Sequence, residues 1–89
     1  MESFEKHDEE LIKELLKKYI GLGKMNKNYT QDQLADISSV SIPVISRIAN
    51  GRTLITILTF AYLVNALDID ANKLFEEFAQ KSKFFNGDY

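Results

Sequence analysis

The chain contains no cysteine, only one histidine and only one proline. Without cysteine, neither a disulfide framework nor a thiolate zinc site can form. No run of about 18 apolar residues occurs, so we expect no transmembrane span. The N-terminal segment is acidic and lacks the apolar centre of a signal peptide. These absences predict a cytoplasmic protein that does not associate with a membrane.

The residues that usually carry out catalysis are also scarce. The one histidine, His7, lies in the acidic N-terminal segment, where a solvated side chain is expected. Glu9, Glu10 and Glu14 follow the pattern of a solvent-facing helix surface, without further ligands for a divalent metal. Neither a glycine-rich phosphate loop nor a nucleophile arrangement is present. We therefore expect no enzymatic activity, no cofactor and no metal site.

The pattern of apolar residues predicts an all-α fold. A chain of 89 residues forms one small domain with a single core, here residues 1–89. No segment alternates with the period of a strand, whereas helical spacing recurs. The first helix is expected to bury its apolar positions and to be capped by Asp8 or Ser3. Those apolar positions are Leu11, Ile12, Leu15, Leu16 and either Tyr19 or Ile20.

Two glycines make the end of the first helix ambiguous. Gly21 and Gly23 weaken helix formation, and the residues up to Asn28 are mostly polar. We expect a connecting loop from Gly21 to Asn28. The alternative is a first helix that continues through both glycines.

Residues 30–50 have the pattern of two short helices joined by a tight corner. Thr30 is a favourable N-cap, and Gln33 stands where a capping box needs its partner. Serines between the two apolar sets compete for backbone hydrogen bonds and predict the corner. Asn50 and Gly51 then favour a left-handed stop. Two helices across such a corner form a helix-turn-helix, whose second helix can enter the DNA major groove.

The same residues carry a family resemblance. Thr-Gln-x-x-Leu-Ala from Thr30, then Val-Ser, Ile-Ser-Arg-Ile and Asn-Gly resemble the Cro/C1-type (XRE-like) helix-turn-helix family of small bacterial and phage transcriptional regulators. The resemblance extends from Thr30 to about Ile69. It implies a compact five-helix bundle of the lambda-repressor-like type, with helices 2 and 3 as the helix-turn-helix.

Two more helices are expected after the motif. Thr56 is the predicted N-cap of helix 4, which should end at about Leu67. Helix 5 should extend roughly from Asp70 to Ser82, and it belongs to a C-terminal region, about residues 70–89, that ends in an aromatic tail. Helix 4 is apolar on most of its circumference, which indicates burial on more than one side.

The net charge of −2 hides an asymmetry along the chain. Residues 24–53 contain four cations and two carboxylates, a local net charge of +2. A surface that faces phosphates needs such an excess. The alternative is a chance cluster of cations on a solvated face.

The resemblance implies which side chains contact DNA. Arg47 is the strongest candidate for base reading, because arginine can bind both guanine O6 and N7; its alternative is a phosphate contact or solvent. The predicted base contacts are Ser41, Ile42, Pro43, Val44, Ser46 and Arg47. The predicted phosphate contacts are Lys27, Thr30, Gln31, Asn50 and Arg52, with a helix-stop role equally expected for Asn50. Lys24, in the same expected loop as Lys27, is a further candidate.

The outer side of helix 3 departs from the family. Ile42, Pro43 and Val44 are apolar where polar base-reading residues are common, so they offer only contacts with thymine methyl groups. We expect a double-stranded DNA-binding transcriptional regulator that binds a palindromic operator as a homodimer. The alternative is a protein-interaction module, such as an antitoxin or anti-repressor, with a protein partner. The predicted dimer surface is Leu58, Tyr62, Phe84 and Phe85, unless these residues fold back onto helix 1 or helix 5.

Overall fold

The fold is known from a computed structural model that describes residues 2–87, and within that range it consists of five helices without strands. The prediction of an all-α five-helix fold is confirmed. No helix among the described residues is long and apolar enough to cross a membrane. The last two residues of the predicted aromatic tail lie outside the described range. The helices are α1 (Glu2–Lys27), α2 (Gln31–Ser38), α3 (Ile42–Ala49), α4 (Ile57–Leu67) and α5 (Ala71–Lys81).

The first helix is much longer than predicted, and the loop expected from Gly21 to Asn28 is wrong. Helix α1 continues through both glycines and ends where Asn28 adopts a left-handed φ of 58°. The reason is a tertiary contact. A Cβ on Gly23 would lie only 3.0 Å from Cβ of Leu67, so glycine lets α1 approach the end of α4 closely. That packing outweighs the low helix propensity of glycine, about 1 kcal/mol.

One apolar core joins all five helices. Helix α1 packs against α3, α4 and α5, while α2 packs against α3 and α4. The periodicity predicted for α1 is confirmed, with Ile12 and Tyr19 at the edge of the core. The buried apolar residues are Leu11, Leu15, Leu16, Ile20, Leu34, Val40, Ile45, Ile48, Phe60, Leu63, Leu67 and Leu74.

The predicted helix caps are largely confirmed. The Thr30 hydroxyl accepts a hydrogen bond from the Gln33 N–H, and the Gln33 side chain accepts one from the Thr30 N–H, completing the capping box. Thr56 caps α4, and Asp70 caps α5. Caps are local in sequence, which explains why the sequence pattern located them.

Asp8 does not cap α1, because the helix begins upstream of it at Glu2. Its carboxylate instead holds the chain that follows α5. It accepts hydrogen bonds from the Ser82 hydroxyl at 2.7 Å, the Lys83 N–H at 3.0 Å and the Phe84 N–H at 3.4 Å. These contacts attach residues 83–87, which we call the tail, to the start of α1.

Candidate nucleic-acid interface

The corner between α2 and α3 is fixed by Ser38 and Ser39. Ser38 is buried; its hydroxyl donates to the Leu34 carbonyl at 2.6 Å and accepts from the Val40 N–H at 3.2 Å. Ser39 takes a left-handed conformation with φ of 60°. The predicted competition of serine side chains for backbone groups is thus the means by which the chain turns. It sets the angle at which α3 leaves α2.

Helix α3 is anchored by two isoleucines on its inner side. Ile45 and Ile48 are each 1% exposed, and burying such a side chain contributes about 1.5–3 kcal/mol. Ser41 is the N-cap, and Pro43 lies in the first turn, where its missing N–H is no loss. Helix α3 begins at Ile42, which confirms the predicted start at Ser41 or Ile42.

The outer side of α3 faces solvent, and we call it the α3 surface. It consists of Ser41, Ile42, Pro43, Ser46 and Arg47, of which only Ser46 is partly buried. Val44, the sixth predicted base contact, is half-buried and packs against the core. The tail packs elsewhere, on α1 and α5, and leaves the α3 surface uncovered.

The N-terminal end of α2, where the helix-turn-helix begins, borders the α3 surface. The Thr30 hydroxyl is engaged in the capping box, so its side chain already has a partner. Gln31 is the first residue of α2 and is half-buried. Backbone N–H groups at a helix N-terminus favour an anion, which suits a phosphate at this end.

The C-terminal end of α3 is closed by Asn50 and Gly51. The Asn50 side-chain amide donates to the Ser46 carbonyl at 2.9 Å, so its predicted helix-stop role is observed. Gly51 takes the left-handed φ of 66° and its N–H bonds to the Ile48 carbonyl. Arg52 follows with an exposed guanidinium that forms no ion pair within residues 2–87.

Lys27 has a partner within the protein. Its ammonium lies 2.5 Å from a carboxylate oxygen of Asp68, the residue that caps the end of α4. The hydrogen bond and the charge of Asp68 raise the pKa of Lys27. The ion pair ties the end of α1 to the end of α4, so a phosphate would compete with Asp68 for this lysine.

The four residues predicted for the dimer surface lie in two different surroundings. Leu58 and Tyr62 are one turn apart on α4 and are 58% and 44% exposed. Phe84 stacks on Phe4 at 5.5 Å between ring centroids, and Phe85 meets Phe78 edge-on at 6.1 Å. The tail aromatics thus fold back onto α1 and α5, yet both remain exposed by more than half.

An apolar groove that was not predicted lies beside the two tail aromatics, whereas Leu58 and Tyr62 do not line it. Two adjoining cavities of about 220 and 370 Å³ share Ile12 and Leu54 as lining residues. Ile57 at 77% exposure and Phe75 at 50% border the first cavity. We call the exposed apolar set the α4–α5 surface. Its members are Leu54, Ile57, Leu58, Tyr62, Phe75, Phe84 and Phe85.

Sequence reasoning also missed a basic residue beside α3. Lys17 on α1 runs past Gly51, with its Cδ 3.6 Å from where a Cβ of that glycine would lie. Lys24 follows two turns later on the same helix. The seven-residue spacing of these lysines places them on one side of a helix. The sequence alone could not indicate this, because the loop expected from Gly21 would have separated them.

Helix α2 is capped, a tight corner follows it, and α3 is anchored on its inner side while its outer side faces solvent. These features define the class of DNA-binding helix-turn-helix regulators. A helix-turn-helix family model matches residues 12–74, most of the chain. The protein therefore belongs to this family, of the Cro/C1 (XRE-like) type with the lambda-repressor-like fold. No curated protein and no solved structure gives a significant match to the chain.

Proposed function

We propose that the protein is a sequence-specific double-stranded DNA-binding transcriptional regulator that binds a palindromic operator as a homodimer, with α3 in the major groove. The observation that supports this most is the open α3 surface. Its inner anchors Ile45 and Ile48 are buried, while Arg47 and the first turn of α3 project into solvent. Among residues 2–87, neither the tail nor another helix covers the α3 surface, which DNA would have to contact.

Base reading rests mainly on Arg47. Its guanidinium is exposed and forms no ion pair among the described residues, so no internal partner must be given up on binding. Ser41 and Ser46 offer hydroxyls, whereas Ile42 and Pro43 suit thymine methyl groups. Val44 is the weakest of the six candidates, because it is half-buried against the core.

Phosphates would fix the register of α3 in the groove. Gln31 and the N-terminus of α2 serve one border, and Arg52 with the Asn50 amide serves the other. Thr30 and Lys27 contribute only by exchanging an internal hydrogen bond for a phosphate. Gln31 and Arg52 are therefore the principal phosphate contacts in this proposal.

A dimer would use the α4–α5 surface. A half-exposed large side chain offers about 100 Å², and a specific interface buries about 800 Å² per partner. Leu58, Tyr62, Phe84 and Phe85 alone would supply about half of that. The neighbouring exposed residues Leu54, Ile57 and Phe75 bring the total close to the required area.

The proposal is tested by selecting duplexes from a random-sequence pool and measuring their affinity across a salt series. We expect a selected palindrome with two half-sites about 34 Å apart, or a multiple of that distance. Affinity should fall steeply with salt. A folded sample without affinity for any duplex at low salt would overturn the proposal.

A second candidate function is a protein-interaction module, such as an antitoxin or anti-repressor. The exposed apolar pair Ile42 and Pro43 favours it, because apolar groups offer few contacts to base edges. Polar substitution of this pair should then abolish capture of one defined partner chain while R47A leaves capture intact. If R47A abolishes binding and polar substitution of Ile42 and Pro43 does not, DNA is the favoured ligand.

A further inference from the structure

A recess of about 350 Å³ lies between α1 and α3, and its rim is basic. Ile45 and Ala49 of α3 form one wall, and Ile20 and Gly21 of α1 form part of the other. A Cβ on Gly21 would meet nothing within 4 Å, so the glycine leaves the recess open. Lys17, Lys24 and Met25 complete the α1 wall, and no carboxylate among residues 2–87 lines the recess.

These two lysines differ from the other lysines near them in having no ionic partner. Lys13, Lys18 and Lys27 of α1 pair with Glu10, Glu77 and Asp68. Within residues 2–87, Lys17 and Lys24 form no ion pair. Positive charge without a partner inside the protein is available to a polyanion without first breaking an internal contact.

Both lysines lie on the side of α1 that faces α3. Lys17 passes Gly51 at the end of α3, next to the exposed Arg52. Lys24 lines the same recess as Ile45, within α3. Seven residues along a helix separate the two lysines by about 10.5 Å. Over the same distance along the duplex axis, one strand of B-DNA passes about three phosphates.

We propose that α1 forms an additional DNA-backbone contact, in which Lys17 and Lys24 bind phosphates of the strand that lies beside α3. This inference rests on the proposed function and extends its footprint from the helix-turn-helix to the first helix. Contacts of this kind add affinity and fix orientation without reading sequence. The lengthening of α1 through Gly21 and Gly23 is what brings Lys24 to the interface.

The test compares K17Q/K24Q with wild type on the selected duplex, by fluorescence anisotropy over a salt series. Each lost phosphate contact lowers the slope of log affinity against log salt by about 0.9. We expect a loss of about 1.8 per protomer, or about 3.6 when a dimer occupies both half-sites. The loss should be the same for selected and random duplexes, and the ranking of sequences should not change. The affinity difference should shrink as salt rises.

K6Q/K73Q is the matched control, because Lys6 and Lys73 are exposed, form no ion pair within residues 2–87 and remove the same charge. It should keep the wild-type slope, as should K17R/K24R. Circular dichroism checks folding, and if the double variant unfolds, K24Q alone should lower the slope by about 0.9 per protomer. A wild-type slope in K17Q/K24Q overturns the α1 contact but leaves the proposed function intact. A wild-type protein that binds no duplex overturns both.

Discussion

The α3 surface and the α4–α5 surface expose opposite kinds of chemistry on one small bundle. Beside α3, the exposed cations Arg47 and Arg52 have no ionic partner among the described residues. On the α4–α5 surface, large apolar side chains such as Ile57 and Leu58 face solvent. A polyanion suits the first surface, and only another apolar surface suits the second. The proposed roles of DNA recognition and self-association therefore fall on separate surfaces.

The largest expected effect comes from polar substitution on the α4–α5 surface. L58D/Y62D should abolish self-association, because it places two charges in the proposed interface. Affinity for a palindrome should fall about 10²–10⁴-fold, the usual advantage of two linked contacts. Sedimentation gives the oligomeric state, and anisotropy gives the affinity.

Both residues are exposed, so monomer stability should change by less than about 0.5 kcal/mol per site. A single half-site should bind the variant as it binds the wild-type protein. A variant that remains dimeric would show that the comparison assigns the wrong surface to self-association.

The next effect belongs to the α3 surface. R47A should lose about 1–3 kcal/mol of discrimination at one base pair, which is about 5–150-fold. R52A is the matched control, because it should weaken all duplexes alike and lower the salt slope by about 0.9 per protomer. Affinities for the operator and for its single-base variants distinguish the two. Equal loss on every duplex in R47A would assign Arg47 to a phosphate.

The helix-turn-helix and its caps could be predicted from the sequence because their determinants are local. Thr30 finds its partner Gln33 within one turn, and Ser38 closes the corner with residues beside it. The helical period likewise reveals Ile45 and Ile48 as the buried side of α3. Such features need no knowledge of the rest of the fold.

The features that escaped prediction depend on residues distant in sequence. Gly23 reads locally as a helix breaker, and only its contact with Leu67 explains why α1 continues. The tail is held by Asp8, more than 70 residues earlier in the chain. Which exposed apolar residues share a groove is likewise set by packing between helices, which one periodicity cannot supply.

A smaller effect tests α1, the helix that contacts both α3 and α5. G21A should raise stability by up to about 1 kcal/mol, because alanine favours helix and its Cβ meets open space. G23A gains the same propensity but forces a Cβ against buried Leu67, and overpacking costs about 1–3 kcal/mol. Thermal unfolding should separate them, with about 4–8 °C for each kcal/mol. Equal midpoints would contradict a continuous, closely packed α1.

The smallest expected effect is a pH dependence at the tail, the outer part of the α4–α5 surface. Partial desolvation acts to raise the pKa of Asp8, but hydrogen bonds from Ser82, His7 and two backbone N–H groups lower it from 3.8 to about 2. Hydrogen bonds from Tyr19 and Lys18 similarly lower the pKa of Glu77 from 4.5 to about 2. A lowered folded-state pKa stabilises the fold above the unfolded value and ceases to do so as pH falls through the folded value. Stability should therefore be constant above about pH 5 and decline between about pH 4.5 and 2.

The variants D8N and E77Q show how much of this loss of stability at low pH comes from the tail and how much from the helix bundle. Each should reduce the acid dependence, but only D8N replaces one of the two oxygens that accept from the Lys83 and Phe84 N–H groups with an amide NH2 group, which cannot accept. Hydrogen exchange at one or both of these amides should accelerate in D8N, and exchange at both should stay slow in E77Q. If the tail aromatics belong to the dimer surface, D8N should also weaken self-association at neutral pH. Unchanged association with a released tail would confine the dimer contact to Leu58, Tyr62 and their neighbours on α4 and α5.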